Sequence, residues 1–231
     1  MGNPRRIKAA DHLVEKHQLS TDPPPPGSLF WKLWDSSKDI AQKALETDFL
    51  KGLKRGDLDP VKFGAFNVSD AYYCFKGTDY YEAAVKHADN PVLKDFLLEK
   101  VQSYVDYNER FHETWFIKDA SSIVPPPICE EYSAFESRIS NEEDPIYTLI
   151  LMLPCEYLWA WLSEEMLPAE PTNIYGNWIK ENDIPFIGYA MGNFLDEYLK
   201  EDPKAIDEDK AVKIYKQAME YEYKYFLSAT E

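Results

Sequence analysis

Residues 146–167 are apolar on nearly every side of a helix, and this segment limits the fold more than any other part of the sequence. Pro154 and Glu156 interrupt it, and its apolar run of residues 146–162 is short for a membrane span. A helix that is apolar all round has to be surrounded by other elements of the fold. We therefore expect residues 146–167 to lie at the centre of a helical bundle.

The remaining segments have the periodicity of the outer helices of such a bundle. Apolar residues recur at steps of three and four after Pro60, after Pro91, near 128–139, over 173–181 and 184–200, and from about 207 to the end. An earlier segment, over 33–45, is followed by Gly52 and Gly56, which are expected to close it. No run alternates with period two for long enough to form a strand. The sequence predicts a single all-α bundle.

Three helix starts are marked by a capping residue directly before a proline: Asp59-Pro60, Asn90-Pro91 and Asp144-Pro145. At the amino terminus, Asp22-Pro-Pro-Pro-Pro-Gly-Ser28 reads as a stiff linker. Residues 1–19 could form one short amphipathic helix. We therefore expect an extension over residues 1–28 and one helical domain over residues 29–231.

The overall charge limits the partners. A formal net charge of −16 leaves nothing to neutralise phosphates, so neither a nucleic acid nor an anionic membrane is expected as a partner. Three cysteines without a CxxC pair and an amino terminus without an apolar leader fit a reducing cytosol. We expect a cytoplasmic protein with a small-molecule ligand.

Two carboxylates stand where apolar residues belong. On the helix after Pro60, Asp70 follows Phe66 by four residues and precedes Tyr73 by three, so its side chain is expected to point inward. On the last helix, Glu222 takes the same inward position four residues after Ala218. Burial disfavours the charged form of a carboxyl, so such residues are paired or used in chemistry. Each could also simply cap a neighbouring helix or bind a buried tyrosine.

Cys155 follows Pro154 directly in the most apolar helix. A proline inside a helix removes one backbone hydrogen bond and usually bends the helix, which opens space beside it. The thiol of Cys155 can therefore face a cavity. A buried cysteine is more often an inert apolar group, and reactivity requires a partner that stabilises its thiolate.

These residues also carry a resemblance to the thiaminase II (TenA) family, over about residues 30–228. Five segments resemble family motifs in the right order: Phe49 to Leu58, Ser69-Asp-Ala-Tyr-Tyr73, Leu153-Pro-Cys-Glu-Tyr-Leu-Trp159, Ile174-Tyr-Gly-Asn-Trp-Ile179 and Tyr221-Glu-Tyr-Lys-Tyr-Phe226. Tyr132, in Glu131-Tyr-Ser-Ala-Phe135, fits the family's tyrosine that contacts the cysteine.

The resemblance implies a heme-oxygenase-like bundle that assembles as a homo-oligomer, often a tetramer. It further implies an aminopyrimidine aminohydrolase that cleaves thiamin or an aminopyrimidine breakdown product and needs neither metal nor cofactor. Cys155 would be the nucleophile and Glu222 the acid and base, while Asp70 would hydrogen-bond the amino group of the ring. Tyr73 and Tyr175 would line the ring faces, and Tyr132 would hydrogen-bond the thiol. Whether Cys74 lines the same pocket is left open.

Two other functions remain as alternatives. The bundle could bind a pyrimidine or another flat ligand without turning it over. It could also be a di-metal oxidase, because Glu109-Arg-Phe-His112 has the spacing of two ligands on one helix face. No second Glu-x-x-His occurs, so we expect His112 to hydrogen-bond inside the bundle instead.

Overall fold

A computed structural model describes residues 19–231, which form ten α-helices and one short 3-10 helix and contain no strand. The predicted all-α class is confirmed. The helix predicted within residues 1–19 falls outside the described part of the chain, apart from residue 19. The 3-10 helix Ala120–Ser122 lies in the loop between Trp115 and Pro127. In chain order the helices are α1 (Leu29–Asp35), α2 (Lys38–Leu45), α3 (Asp48–Arg55), α4 (Pro60–His87), α5 (Pro91–Trp115), α6 (Pro127–Glu142), α7 (Ile146–Met166), α8 (Gly176–Asn182), α9 (Phe186–Glu201) and α10 (Glu208–Ser228).

The apolar helix α7 lies at the centre of the bundle, as predicted, and packs against α4, α6, α8, α9 and α10. It continues through Pro154 without a break. By length and composition alone α7 could cross a membrane, with a mean hydropathy of 1.3 over its most apolar stretch. Within the fold 83% of that stretch is buried, which is the behaviour of the core helix of a bundle.

The helix starts predicted at Asp59-Pro60 and Asn90-Pro91 are confirmed, whereas the third helix begins at Ile146, one residue after the predicted Pro145. The Asp59 side chain accepts a hydrogen bond from the backbone of Val61, and the Asn90 side chain accepts from Val92 and Leu93. Asp144 accepts from the backbone of Ile146, with 3.1 Å between its Oδ1 and the amide nitrogen. These caps satisfy amide groups that the first turn of a helix leaves without partners.

The first segment differs from the prediction, because residues 29–55 form three short helices rather than one. Thr47 separates α2 from α3, and its hydroxyl oxygen accepts from the backbone of Leu50. Gly56 ends α3 in the left-handed conformation, with φ of 80°, as expected of a closing glycine. Gly52 does not close the segment but lies inside α3, where the helix passes close to Leu58.

Residues 20–24 are bound to the body of the bundle. The indole of Trp31, on α1, donates to the Pro24 carbonyl at 2.7 Å. The Asn193 side chain, on α9, donates to the carbonyls of Ser20 and Asp22 at 2.8 and 2.9 Å. The described part of the proline-rich segment is therefore tied to both α1 and α9.

Candidate active site

A partly enclosed cavity lies among α4, α5, α7 and α8, with one residue from α9 at its edge. Its lining combines carboxyls, cysteines, one arginine and aromatic rings: Asp70, Cys74, Ser103, Tyr104, Tyr107, Arg110, Cys155, Glu156, Trp159, Trp178, Glu181, Asn182 and Ile187. The structure thus brings two predicted site residues, Asp70 and Cys155, to one cavity. Cys74 also lines it, which answers the question that the sequence left open.

Cys155 is half-buried and its thiol faces this cavity, as the position after Pro154 predicted. The hydroxyl of Tyr104, on α5, donates to the sulfur over 3.9 Å between Oη and Sγ. The sequence analysis did not single out Tyr104 as a functional residue.

Asp70 is buried on the inner face of α4, which confirms its predicted orientation. The Arg110 guanidinium lies 3.5 Å from its Oδ2, and the Cys74 thiol donates to its Oδ1 over 3.9 Å. The same guanidinium stacks on the Tyr107 ring, with 3.9 Å between its carbon and the ring centroid. The carboxylate therefore has a cationic partner inside the cavity that the sequence analysis did not predict.

Glu222 is also buried as predicted, and two neutral donors hold its carboxyl. The Tyr132 hydroxyl donates to Oε1 at 3.1 Å, and the Trp159 indole donates to Oε2 at 3.2 Å. Burial raises the pKa of Glu222 to about 7, the two donors lower it, and the charge of Asp70 adds to the rise. A carboxyl with this pKa exchanges its proton near neutral pH.

The predicted hydrogen bond from Tyr132 to the thiol stays a prediction, because the Tyr132 hydroxyl donates to Glu222 although it also lies near Cys155. A phenol has one proton to donate, and the proton of Tyr132 is directed at Glu222. The Tyr104 hydroxyl donates to Cys155.

Trp159 connects the cavity to Glu222, since it lines the cavity and donates its N–H to that carboxyl. Glu222 itself lies behind this indole and is not among the lining residues. The two carboxyls are nevertheless close enough that the charge of Asp70 affects the pKa of Glu222.

Tyr73 and Tyr175 do not line the cavity. The Tyr73 ring packs on Tyr132 with 5.3 Å between centroids, and its hydroxyl points at the sulfur of Met152. The Tyr175 hydroxyl donates to the Leu58 carbonyl at 2.6 Å. From the same segment as Tyr175, Trp178 supplies an aromatic wall instead. Ligand contacts of Tyr73 and Tyr175 remain predictions.

Sequence reasoning missed two buried polar features beside the site. Lys100 and Glu156 form an ion pair with 2.7 Å between Nζ and Oε1, and both side chains are almost wholly buried. Glu136, on α6, is completely buried, and neither of its oxygens has a hydrogen-bond partner in the described chain. Burial and the charge of Glu222 raise the pKa of Glu136 well above its usual range, while the nearby Tyr73 hydroxyl lowers it slightly.

The Glu109-x-x-His112 spacing does not build a metal site with other side chains. His112 is exposed at the end of α5, where its Nε2 lies 2.7 Å from the Lys118 carbonyl oxygen. The expected hydrogen bond of His112 exists, but at the surface rather than inside the bundle. Among residues 19–231, no group of three or more His, Cys, Asp or Glu side chains is placed to hold a metal ion.

Comparison with known proteins adds to this geometry. A sequence model of the TENA/THI-4/PQQC family matches residues 34–231. The thiamine biosynthesis multifunctional protein ThiED of Corynebacterium efficiens is 23% identical over 163 residues, which are 67% of this chain and 22% of that protein. An aminopyrimidine aminohydrolase of Staphylococcus aureus is 23% identical over 141 residues, which are 58% of this chain and 62% of that protein. The chain thus matches less than two thirds of the length of either relative.

Solved structures match over most of the chain. A TenA family transcription regulator from Silicibacter sp. TM1040 has a TM-score of 0.75 at 16% identity and covers 89% of this chain and 97% of its own. A TenA homologue from P. horikoshii has a TM-score of 0.71 at 20% identity, with 87% and 98% covered. At these identities the likeness shows the fold, which is the heme-oxygenase-like helical bundle.

Proposed function

The chain belongs to the TENA/THI-4/PQQC family, and on this premise we propose that it hydrolyses 4-amino-2-methylpyrimidine compounds at their exocyclic methylene carbon. The substrate would be thiamin or an aminopyrimidine breakdown product, and the product would be hydroxymethylpyrimidine for thiamin salvage. The S. aureus relative is named for aminopyrimidine hydrolysis, which supports this substrate class. The observation that carries the proposal is one cavity that holds a thiol and a carboxylate, with a second carboxyl of pKa about 7 behind its wall.

In the proposed reaction, the Cys155 sulfur adds to a ring carbon as a thiolate while protonated Glu222 gives its proton to a ring nitrogen. Electron flow from the ring then breaks the bond to the leaving group. Water adds to the exocyclic carbon and loses a proton, which is taken up by the departing amine when the leaving group is an amine and is released to solvent when the leaving group is the neutral thiazole of thiamin. The carbon–sulfur bond then breaks, and Glu222 takes back the proton of the ring nitrogen.

The surrounding residues fit these steps. Asp70 would accept a hydrogen bond from the ring amino group. The same carboxylate also pairs with Arg110, so it would interact with both groups at once. Tyr132 and Trp159 would hold Glu222 as its charge changes, because both donate to its oxygens. Cysteine suits the first and last steps, since it is both a strong nucleophile and a good leaving group. None of these steps requires a metal ion or an organic cofactor.

A pyrimidine-binding protein without turnover is the second candidate. One observation favours it: a structure of the same fold carries the name of a transcription regulator. The same cavity would serve, with Asp70 and the aromatic walls as the binding groups. Cys155 would then be dispensable.

Mass-spectrometric assay of the purified protein with thiamin and, separately, with 4-amino-5-aminomethyl-2-methylpyrimidine tests the proposal. We expect hydroxymethylpyrimidine from the native protein and none from Cys155→Ser. Cys129→Ser is the matched control, because Cys129 is a buried cysteine that does not line the cavity. Ligand binding without product from either compound would contradict the hydrolase and favour the binding protein.

A further inference from the structure

Tyr104 is placed to interact with the reacting sulfur. Its side chain is buried, and its hydroxyl is directed at Cys155 Sγ from 3.9 Å. Both residues line the same cavity, with Tyr104 on α5 and Cys155 on α7. The sulfur therefore has a hydroxyl donor that comes from a different helix than its own.

The other charged groups of the cavity disfavour an anion at this position. Asp70, Glu156 and Glu181 are carboxyls in the lining, against one lining cation, Arg110. Arg110 is directed at Asp70, and Lys100 behind the wall is directed at Glu156. A sulfur anion among carboxylates needs a donor of its own.

Three more hydroxyls surround the sulfur from α4 and α6. Cys155 is near enough to Tyr73, Tyr81 and Tyr132 to raise the pKa of each. The Tyr73 hydroxyl points at Met152, and that of Tyr132 donates to Glu222. The Tyr81 hydroxyl is buried without a hydrogen-bond partner in the described chain.

Two features hold Tyr104 in place. The Lys100 ammonium, one helical turn earlier, lies 5.8 Å from the centroids of both the Tyr81 and Tyr104 rings. On α4, Gly77 makes room for the Tyr104 ring: a Cβ at that position would lie 2.4 Å from its Cε1. A glycine inside a long helix costs about 1 kcal/mol of stability relative to alanine, so the space for the Tyr104 ring lowers the stability of α4.

We propose that Tyr104 is a further catalytic residue, whose hydroxyl donates a hydrogen bond to the Cys155 sulfur and stabilises it as an anion. This inference rests on the proposed function, in which Cys155 is the nucleophile. The thiol proton is released to water at the mouth of the cavity before the carbon–sulfur bond forms, and a proton returns to the sulfur after that bond breaks. Tyr104 keeps its own proton throughout, because burial raises the pKa of its hydroxyl well above the usual value.

Alkylation of Cys155 by iodoacetamide tests this role without a substrate. Rates are measured on the full chain at pH 6 to 10 by peptide mass spectrometry, which separates Cys155 from Cys74 and Cys129. For Tyr104→Phe we expect about ten-fold slower alkylation near neutral pH and a profile displaced upward by about one pH unit, since one hydrogen bond to an anion is lost.

Tyr81→Phe is the matched control, because its hydroxyl is equally buried, lies beside the same ammonium and has no hydrogen-bond partner in the described chain. In Tyr81→Phe, iodoacetamide should alkylate Cys155 at the native rate. Cys129, which is buried and does not line the cavity, reports on folding: if Tyr104→Phe loosens the protein, Cys129 becomes reactive as well. In that case Gly77→Ala is used as the test instead of Tyr104→Phe. It keeps the Tyr104 hydroxyl but displaces the Tyr104 ring, and it should also slow the alkylation of Cys155.

Unchanged or faster alkylation of Cys155 in folded Tyr104→Phe would overturn the role. Slower alkylation together with an equal fall in kcat/KM would support it. Slower alkylation in a protein that hydrolyses neither pyrimidine would leave Tyr104 as the donor to the sulfur but refute the hydrolase itself, so the two proposals fail separately.

Discussion

Glu222 on α10 and Glu136 on α6 are buried to the same depth, but their surroundings differ. Glu222 accepts hydrogen bonds from Tyr132 and Trp159, and its pKa is about 7. Glu136 has no hydrogen-bond partner in the described chain, and its pKa is well above the usual range. Depth alone therefore does not decide how a buried carboxyl titrates. Two donors that favour its ionised form hold the pKa of Glu222 at about 7, whereas burial and the charge of Glu222 raise the pKa of Glu136 well above its usual range.

Glu156 extends this comparison to a third environment. It is buried like the other two, and it forms an ion pair with the Lys100 ammonium. Ion pairs of this kind lose much of their attraction to the desolvation of both charges. The three glutamates thus allow the effects of two neutral donors, of burial beside a like charge and of a cation to be compared within one protein.

The largest expected effect is the loss of turnover in Glu222→Gln. Without an exchangeable proton near the ring, the rate of hydroxymethylpyrimidine release should fall about 10²- to 10⁴-fold. Glu136→Gln should stay within a few-fold of the native rate, because Glu136 does not line the cavity and its raised pKa disfavours its ionised form. Equal losses in the two variants would show that the difference between their pKa values has no bearing on catalysis.

Next in size is the loss of stability in Lys100→Met. Glu156 would be left buried without its cation, so the free energy of unfolding should fall by about 3–5 kcal/mol in urea titrations. The double variant Lys100→Met/Glu156→Leu should recover most of this loss. Lys76→Met, which breaks the exposed pair with Asp79, is the control and should cost less than about 1 kcal/mol. If the double variant is no more stable than Lys100→Met, the ion pair stabilises the fold by more than the neutralisation of its two charges.

The pH dependence of stability should separate Glu222 from Glu136. Folded Glu222 holds its proton up to pH about 7, whereas an unfolded glutamate releases it near 4.5. Its contribution to stability is therefore complete below pH 4.5 and is lost as the pH rises through 7, by about 3 kcal/mol. Urea unfolding at pH 5, 7 and 9 should show a smaller fall between pH 5 and 7 in Glu222→Gln. Glu136→Gln should also show a smaller fall that begins at the same pH, but the loss that ends as the pH rises through about 7 should remain, because Glu222 is still present. Curves of both variants that match the native curve would contradict the assignment.

The smallest effect should come from Tyr132→Phe, which makes the surroundings of Glu222 more like those of Glu136. Loss of one of its two donors should raise the pKa of Glu222 by up to about one unit, since a hydrogen bond contributes about 0.5–1.5 kcal/mol. The midpoint of the stability change above pH 5 should move upward accordingly. Tyr80→Phe is the control, because that hydroxyl pairs with Ser133 instead. A midpoint that stays in place would leave Trp159 as the donor that sets the pKa.

The fold and part of the site could be predicted because they depend on helical periodicity along single segments. The inward positions of Asp70 and Glu222 follow from steps of three and four between core residues. The central place of α7 follows from its composition. By contrast, the division of residues 29–55 into three helices depends on local caps such as Thr47, which a short periodic pattern does not reveal.

Helical periodicity alone does not identify the buried polar residues near the site. Glu136 follows Tyr132 by four residues on the buried face of α6, a position at which a glutamate does not mark itself as part of the core. Lys100 lies between Leu97 and Tyr104 at the same kind of spacing on α5. A helix face that contains a lysine or a glutamate can be recognised as buried only when the residues that it packs against on other helices are known. The bonds of Tyr104 to the thiol and of Tyr132 to Glu222 likewise join different helices.

Gly77 has a consequence for how functional positions would be identified by mutagenesis. It contributes no chemical group, yet any side chain there would collide with the ring of Tyr104. In a saturation scan selected for activity, Gly77 should therefore be as intolerant as the residues that line the cavity. A map of intolerant positions would place it among the catalytic groups, although its role is only to leave a volume empty.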